Sequence, residues 1–414
     1  MKRFLILVTI LGLIGTVTNL LYISPIPSLF AAICFPVILL YRNNFPKVVF
    51  WLFLFFIYVF VSTTLYNPAS FANFRFYRYD GNFFISYLPL LVLPFLSLNL
   101  NINKIFRLFL VLTTIISSVV FVLKGLQLSG FTGLFLATNA AGGFYSIVTS
   151  LAVIYFFEKK TYYNLVILLL NVLFLYATYS RGSVLGIALG ALFYYFFHIR
   201  KSYLIYITLA GICAIQLYIL IHTYPVYVTS ISGGPSTDFY RNYDDFILKN
   251  YGIVSTKYNN ILIRTYQTWP RAIDCFFHSP LLGTGFGSID DVPFKFKPII
   301  PYFLATNIQN NKVFSDSHAH HSFLHFLGEL GLVGLLIFLK FWRTLYLFLI
   351  RNNYDSRIRS FLLVSFYNLT IMSFTEHRIT TPSNALPFVL ALSLYCVYVN
   401  HQNRPRQTII ETAS

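Results

Sequence analysis

The chain has 414 residues, of which 57% are hydrophobic and only 10% charged, and its mean hydropathy is +0.67. Soluble domains carry about 25% charged residues, so most of this chain cannot face water. A net charge of +17 would suit a nucleic-acid partner in a soluble protein, but here the basic residues are spread along short loops, which excludes that class.

Apolar runs near membrane-spanning length recur from end to end and predict an all-α, polytopic membrane protein with about 12 transmembrane helices. The first run, 4–23, follows Lys2-Arg3, is too long for a signal-peptide core and lacks a small-x-small cleavage site, so it reads as a retained span. The others fall at 28–41, 48–66, 83–98, 105–124, 139–157, 162–179, 183–198, 203–222, 322–341, 360–375 and 385–400. One hydrophilic insertion interrupts them. The chain thus divides into a bundle of about nine spans (1–222), a large, partly helical loop acting as a lid (223–317), about three further spans (318–400) and a tail (401–414). Phe and Tyr, 45 and 31 in number, suit aromatic belts at both interfaces. Cys34, Cys213, Cys275 and Cys396 show no paired spacing, so neither a disulfide framework nor a thiolate zinc site is indicated.

Orientation follows from the Lys/Arg bias. With the N-terminus in the cytoplasm, seventeen basic residues gather at inner ends and five in short outer loops, which places 223–317 outside. The five exceptions are Arg75, Arg78, Lys124, Arg181 and Arg378. For the first three, snorkelling to lipid phosphate is the plain reading. Arg181 differs, because Thr178-Tyr-Ser-Arg-Gly-Ser183 joins two apolar runs with almost no loop. A guanidinium held there is partly desolvated and needs an anionic partner, for which phosphate oxygens fit its planar fork.

In the outer loop, Leu262, Tyr266, Trp269, Ile273 and Phe276 recur at helical spacing, flanked by Arg264 and Arg271. Pro270 either kinks this helix or opens a second one capped by Thr268. The glycines of Pro280-Leu-Leu-Gly-Thr-Gly-Phe-Gly287 lack the strand–turn–helix setting of a nucleotide site and read as a turn.

Beyond the loop, His318-Ala-His320-His321 stands against the start of a long apolar helix, a place suited to proton transfer. His318, His320, His321 and Asp316 are ligand types for a metal, yet no HExxH pattern or distant carboxylate cluster completes a site, and no metal is expected. His325 and Glu329 continue a polar seam on one helix face, with packing as their expected role.

Several segments together resemble the O-antigen ligase and O-antigen polymerase family of bacterial membrane glycosyltransferases. His320-His321, nine residues and then Gly331-Leu-Val-Gly334 is similar to the family's His-Asn/Ser/Gln, nine-residue gap and Gly-x-x-Gly. Tyr179-Ser-Arg-Gly182 resembles its Ser-Arg-Gly turn, and Gly133 to Gly142, with Asn139, a weaker upstream element. Arg264 to Trp269 with Ser279 to Gly287 resembles its outer-loop signature, although Arg264 stands one residue further from Trp269 than the family spacing. The resemblance implies a glycan donor on undecaprenyl pyrophosphate, used at the periplasmic face of the bacterial inner membrane with no cofactor. It also implies an acceptor hydroxyl on lipid A-core for a ligase, or on another lipid-linked glycan for a polymerase. Carried over by position, Arg181 and Arg264 hold the pyrophosphate, and His320 activates the acceptor, with His321 as the alternative imidazole. His318, Arg271 and Arg378 are possible supporting residues. A transporter or flippase is the competing class, but internal repeats with matching broken helices are not seen.

Overall fold

The computed structural model describes residues 2–18, 26–40, 46–73, 76–77, 80–200, 204–232, 264–293 and 318–403. Within them the chain is all-α. Thirteen α-helices form and no strand, apart from one isolated bridge between Thr18 and Leu134. In chain order these are α1 (Lys2–Gly15), α2 (Ile26–Leu40), α3 (Lys47–Tyr66), α4 (Asn82–Val92), α5 (Ile102–Leu123), α6 (Thr138–Glu158) and α7 (Tyr162–Ala177). They continue with α8 (Arg181–Tyr194), α9 (Leu204–Ser232), α10 (Trp269–His278), α11 (Ser322–Arg351), α12 (Ser356–Met372) and α13 (Pro382–Gln402).

All but α10 stand where the sequence predicts a span. Among the described residues, six segments are long and apolar enough to cross a membrane: Lys47–Tyr66, Ile102–Leu123, Thr138–Glu158, Arg181–Ile199, Ser322–Arg351 and Pro382–Gln402. Asn82–Phe95, Tyr162–Ala177 and Ala210–Thr223 are apolar but shorter. The protein is therefore a polytopic all-α membrane protein. α9 runs ten residues past the predicted end at 222, because the change in hydropathy there marks the end of a span rather than of a helix.

α13 is the buried centre, packed by α1, α4, α6 and α12. α8 lies along α12 at close range, and two glycines spaced i, i+4 allow it. A methyl on Gly186 would fall 2.4 Å from Asn368 Oδ1, and one on Gly190 3.0 Å from Asn368 N. This is the small-residue seam by which helices associate in lipid.

α11 is broken at Gly331, whose φ of 64° and ψ of −170° lie in a region that only glycine occupies readily. A break strands backbone donors and acceptors, which apolar surroundings do not tolerate. The loop segment ahead of the helix supplies the missing partners. Thr284 and Gly285 both donate to Glu329 O at 2.9 Å, while Leu332 and Val333 donate to the carbonyls of Pro280 and Leu281 at 2.8 and 3.1 Å. The Tyr58 hydroxyl on α3 reaches the carbonyls of Leu282 and Leu330, each at 2.9 Å. A methyl on Gly331 would sit 2.5 Å from Leu281 O, and one on Gly283 (φ 78°) 2.2 Å from Glu329 O. The glycines of both motifs therefore serve one junction between loop and helix.

Gly331→Ala places a side chain in that junction and in a forbidden backbone region, at a cost of about 1–3 kcal/mol. The expected result is a clearly lower melting temperature in detergent. Leu332→Ala, on an exposed neighbour, melts like wild type.

Candidate functional site

The site is built on the ends of five elements, and its hub is the turn between α12 and α13. There the two oxygens of Glu376 face different groups. Oε1 pairs with Arg264 Nη2 at 2.5 Å, and Oε2 lies 3.4 Å from His320 Nδ1. Arg264 also donates through Nη1 to Thr375 O at 2.9 Å. Asn139, in the first turn of α6, sits with Nδ2 3.5 Å from Glu376 Oε1, and its carbonyl accepts from Arg378 Nη1 at 2.6 Å. Burial alone would raise the Glu376 carboxyl. The His320 hydrogen bond and the charges of Arg378 and Arg264 outweigh it and hold the acid well below the usual carboxylate range.

Arg378 is 3% exposed, and its Nε and Nη2 make no hydrogen bond within the described residues. Its backbone N–H donates to Ser322 Oγ at 3.1 Å, which ties the turn to the start of α11. A buried guanidinium edge with no partner is costly, and an anion is what it lacks.

The two neighbouring imidazoles have separate fates. His321 caps α11, with Nδ1 accepting from Leu324 N–H at 3.1 Å and Nε2 lying 3.4 Å from Gln216 Oε1 on α9. It is enclosed by Trp269 and Phe374, and burial pushes its pKa down to about 3. An imidazole with so low a pKa is a poor base at neutral pH. His320 is partly exposed and faces Glu376, and its φ of 50° is a left-handed conformation that non-glycine residues rarely adopt. Its neighbour Ala319 is held by Thr268 Oγ1, which donates to the Ala319 carbonyl at 2.9 Å. The His318 ring lies against His320, tilted, with centroids 4.4 Å apart.

Arg181 opens α8 two residues after Tyr179, another residue of positive φ (56°). Its side chain is exposed, with no hydrogen bond or ion pair within the described residues. A methyl on the adjacent Gly182 would lie 3.7 Å from Thr375 Oγ1, so this helix start abuts the turn that holds Arg264. Gly142 of the upstream element lets α6 approach the same place, since a methyl there would meet Ser180 Cβ at 2.3 Å. Arg264 begins a π-helical turn, Arg264–Thr268, that absorbs the extra residue before Trp269. Pro270 then sits in the first turn of α10, so it opens a helix rather than kinking one, and Thr268 bonds Ala319 instead of capping.

Arg271 is placed elsewhere. It is fully buried, donating to Asp274 Oδ2 at 2.9 Å, to Ile289 O at 3.0 Å and to Val292 O, so it knits the loop rather than joining Glu376. Lys124 bonds Thr132 Oγ1 and Gly133 O at 2.8 and 2.7 Å, a loop contact instead of the expected lipid one. Arg75, Arg78, Leu262 and Asp316 lie outside the described residues.

A second polar cluster lies beneath. His325 Nε2 approaches Asp80 Oδ1 at 2.7 Å and Glu329 Oε2 at 3.1 Å, and His377 Nε2 lies 3.4 Å from the same Asp80 oxygen. Asp80, His325 and His377 are the one described group whose ligand atoms come within 4.8 Å of one another as a metal would require. The geometry fits a hydrogen-bonded network better. Ala319 N–H points at His325 Nδ1 from 3.5 Å, and the Glu329 oxygens accept from Gly287 and Ile289 N–H at 2.7 and 2.8 Å. His325 and Glu329 thus do more than pack.

Glu376, His377, Asp80 and Gln216 are absent from the sequence-based site. The signal for the first two is Thr375-Glu-His-Arg378, a charged cluster in the short gap between the last two apolar runs of a chain with thirteen acids. Charge bias counts basic residues alone, and so it finds Arg378 and passes over Glu376.

Arg271→Ala strands the buried carboxylate of Asp274, which costs about 3–5 kcal/mol. Protein yield and melting temperature are expected to fall sharply, and the Arg271→Ala/Asp274→Ala double variant recovers part of both. A surface role for Arg271 would leave yield unchanged.

Residues 165–339, from α7 through the broken part of α11, match the family model described as O-antigen ligase. No curated protein matches the chain. Over this segment the chain is similar to the O-antigen ligase family, which supports a function of the ligase or polymerase type in general.

Proposed function

We propose that this O-antigen ligase-type protein is a glycosyltransferase. It moves a glycan from undecaprenyl pyrophosphate to a hydroxyl of lipid A-core, at the periplasmic face of the bacterial inner membrane. The observation that carries the reading is the meeting of Arg264 and His320 at the Glu376 carboxylate, with the buried charge of Arg378 close enough to act on it and the Arg181 helix start beside them.

Charge supports it. Arg264 and Arg378 against Glu376 leave one positive charge, and Arg181 at the rim makes two, which balances the two charges of a pyrophosphate diester. The open edge of Arg378 is the natural seat for one phosphate, and Arg264 with Arg181 for the other. These guanidiniums stabilise the charge that grows on the leaving group, a role metal ions fill elsewhere.

The acceptor oxygen attacks the anomeric carbon as the bond from that carbon to the phosphate oxygen breaks. The proton passes to His320 Nε2, and undecaprenyl pyrophosphate leaves with the bonding pair. One direct displacement inverts configuration. Base assistance of this kind is worth about 10²–10⁴ in rate. His320 suits the role because its other nitrogen, Nδ1, faces a carboxylate, whereas His321 has both nitrogens engaged in holding α9 and α11.

The test is a deletion strain complemented with wild type or variants, read by its surface-polysaccharide banding. His320→Asn and Arg264→Ala abolish transfer while protein level holds. His321→Asn keeps it, because an asparagine caps a helix as well as this imidazole does. Wild-type banding with His320→Asn would refute the assignment. The same gel separates ligase from polymerase. Loss of a ligase strands long glycan on the lipid carrier, while loss of a polymerase leaves cores capped by a single repeat.

A further inference from the structure

We infer that Glu376 is a positioning residue that couples donor binding to the acceptor base: pyrophosphate draws Arg264 away from Glu376, and the released carboxylate turns its charge on His320. The inference rests on the roles proposed above for Arg264 and His320.

In the free protein, Glu376 is shared unequally. Arg264 holds Oε1 at 2.5 Å, a tight charge-assisted contact, while His320 Nδ1 makes the longer of the two hydrogen bonds, 3.4 Å from Oε2. Its other neighbours are Asn139 Nδ2 at 3.5 Å and the buried charge of Arg378. His320 faces Glu376 on one side and the His318 ring on the other. Arg264 is the group with somewhere else to go. It stands 18% exposed at the side-chain level, on a π turn, and a phosphate offers the same fork geometry with more charge than a carboxylate.

Once Arg264 turns to phosphate, the strongest competitor for Glu376 is gone. An anion beside Nδ1 then favours the protonated imidazole, which makes Nε2 a better proton acceptor. The strained φ of 50° at His320 fits this account, since it keeps the ring aimed at the turn before any substrate arrives. The base is thus weak until the donor is seated.

The coupling predicts opposite effects from one substitution. In Glu376→Gln, Arg264 no longer has to leave a carboxylate, and a repulsive charge is removed from the phosphate site. The full-length protein in detergent should bind inorganic pyrophosphate about two- to fivefold more tightly than wild type, as calorimetry would read. Its kcat for transfer from lipid-linked donor should fall about 10²-fold or more, because the base is no longer oriented or backed by a carboxylate. A scaffolding role would instead weaken binding and turnover together. If Glu376→Gln melts too low to assay, Glu376→Asp, which withdraws the charge from both partners, carries the same two readings with smaller changes.

Weaker pyrophosphate binding by a folded Glu376→Gln, or wild-type turnover, overturns the coupling. Arg264→Ala and His320→Ala are the controls. If both transfer normally, the glycosyltransferase reading has failed; if both are inactive while Glu376→Gln turns over like wild type, only the coupling has failed.

Discussion

Backbone polar groups stranded where a helix breaks must find partners, and in this bundle the rest of the architecture follows from how α11 meets that demand. The loop segment around Pro280 to Gly285 enters the gap at Gly331 and exchanges four backbone hydrogen bonds with it. Because the alternative is unpaired N–H and C=O groups in apolar surroundings, the loop is fixed to the bundle at this point rather than tethered by side chains. Glu329, two residues before the break, then accepts from Gly287 and Ile289 and extends the same bond further along the loop. Arg271 and Asp274 complete it from the other side. The chain can therefore return to α10 and to His320 on a rigid path.

That rigidity explains how a site assembled from distant residues holds its geometry. Asn139, Arg181, Arg264, His320 and Glu376 come from five different elements, and each lies at or beside a helix end. Helix ends bring free N–H groups, turns and positive φ together, and two of the three non-glycine residues with positive φ, Tyr179 and His320, flank or form the site. The opposite end of the bundle is pinned by a cluster of its own: Arg357 to Glu158 and Asn103 to Asp355, each at 2.6 Å, with Arg357 also 3.6 Å from Asp355.

Much of the fold is legible in the sequence because lipid imposes a single rule, that spans be apolar and helical. All twelve predicted runs fall on helices, and the failures concern their ends. α9 outlasts its apolar stretch, since helicity and hydropathy stop for different reasons. The site is legible in its basic residues and histidines, whose placement opposes the charge bias or carries a motif. It is not legible in Glu376, because an acid between two spans has no periodic signature and gains its meaning only when Arg264, 112 residues earlier, folds onto it. Arg271 fails in the opposite sense: flanking an apolar stripe looks like exposure, yet Arg271 is buried with Ala272, Asp274 and Cys275, while Ile273 and Phe276 of the stripe stay half-buried.

The extra histidine finds its explanation in the same place. Position 321 is the N-cap of α11, and the Asn, Ser and Gln of the family pattern are polar side chains able to accept a backbone N–H. A histidine meets that need through Nδ1, provided the ring stays neutral and keeps its lone pair. Burial against Trp269 and Phe374 secures both conditions, and the contact with Gln216 adds a tie to α9 that a shorter side chain would not reach. Two adjacent imidazoles thus divide by environment. One is buried and neutral, with both nitrogens spent on structure. The other is partly exposed and strained, with a carboxylate at its back. Duplicating the residue type duplicates neither the surroundings nor the chemistry.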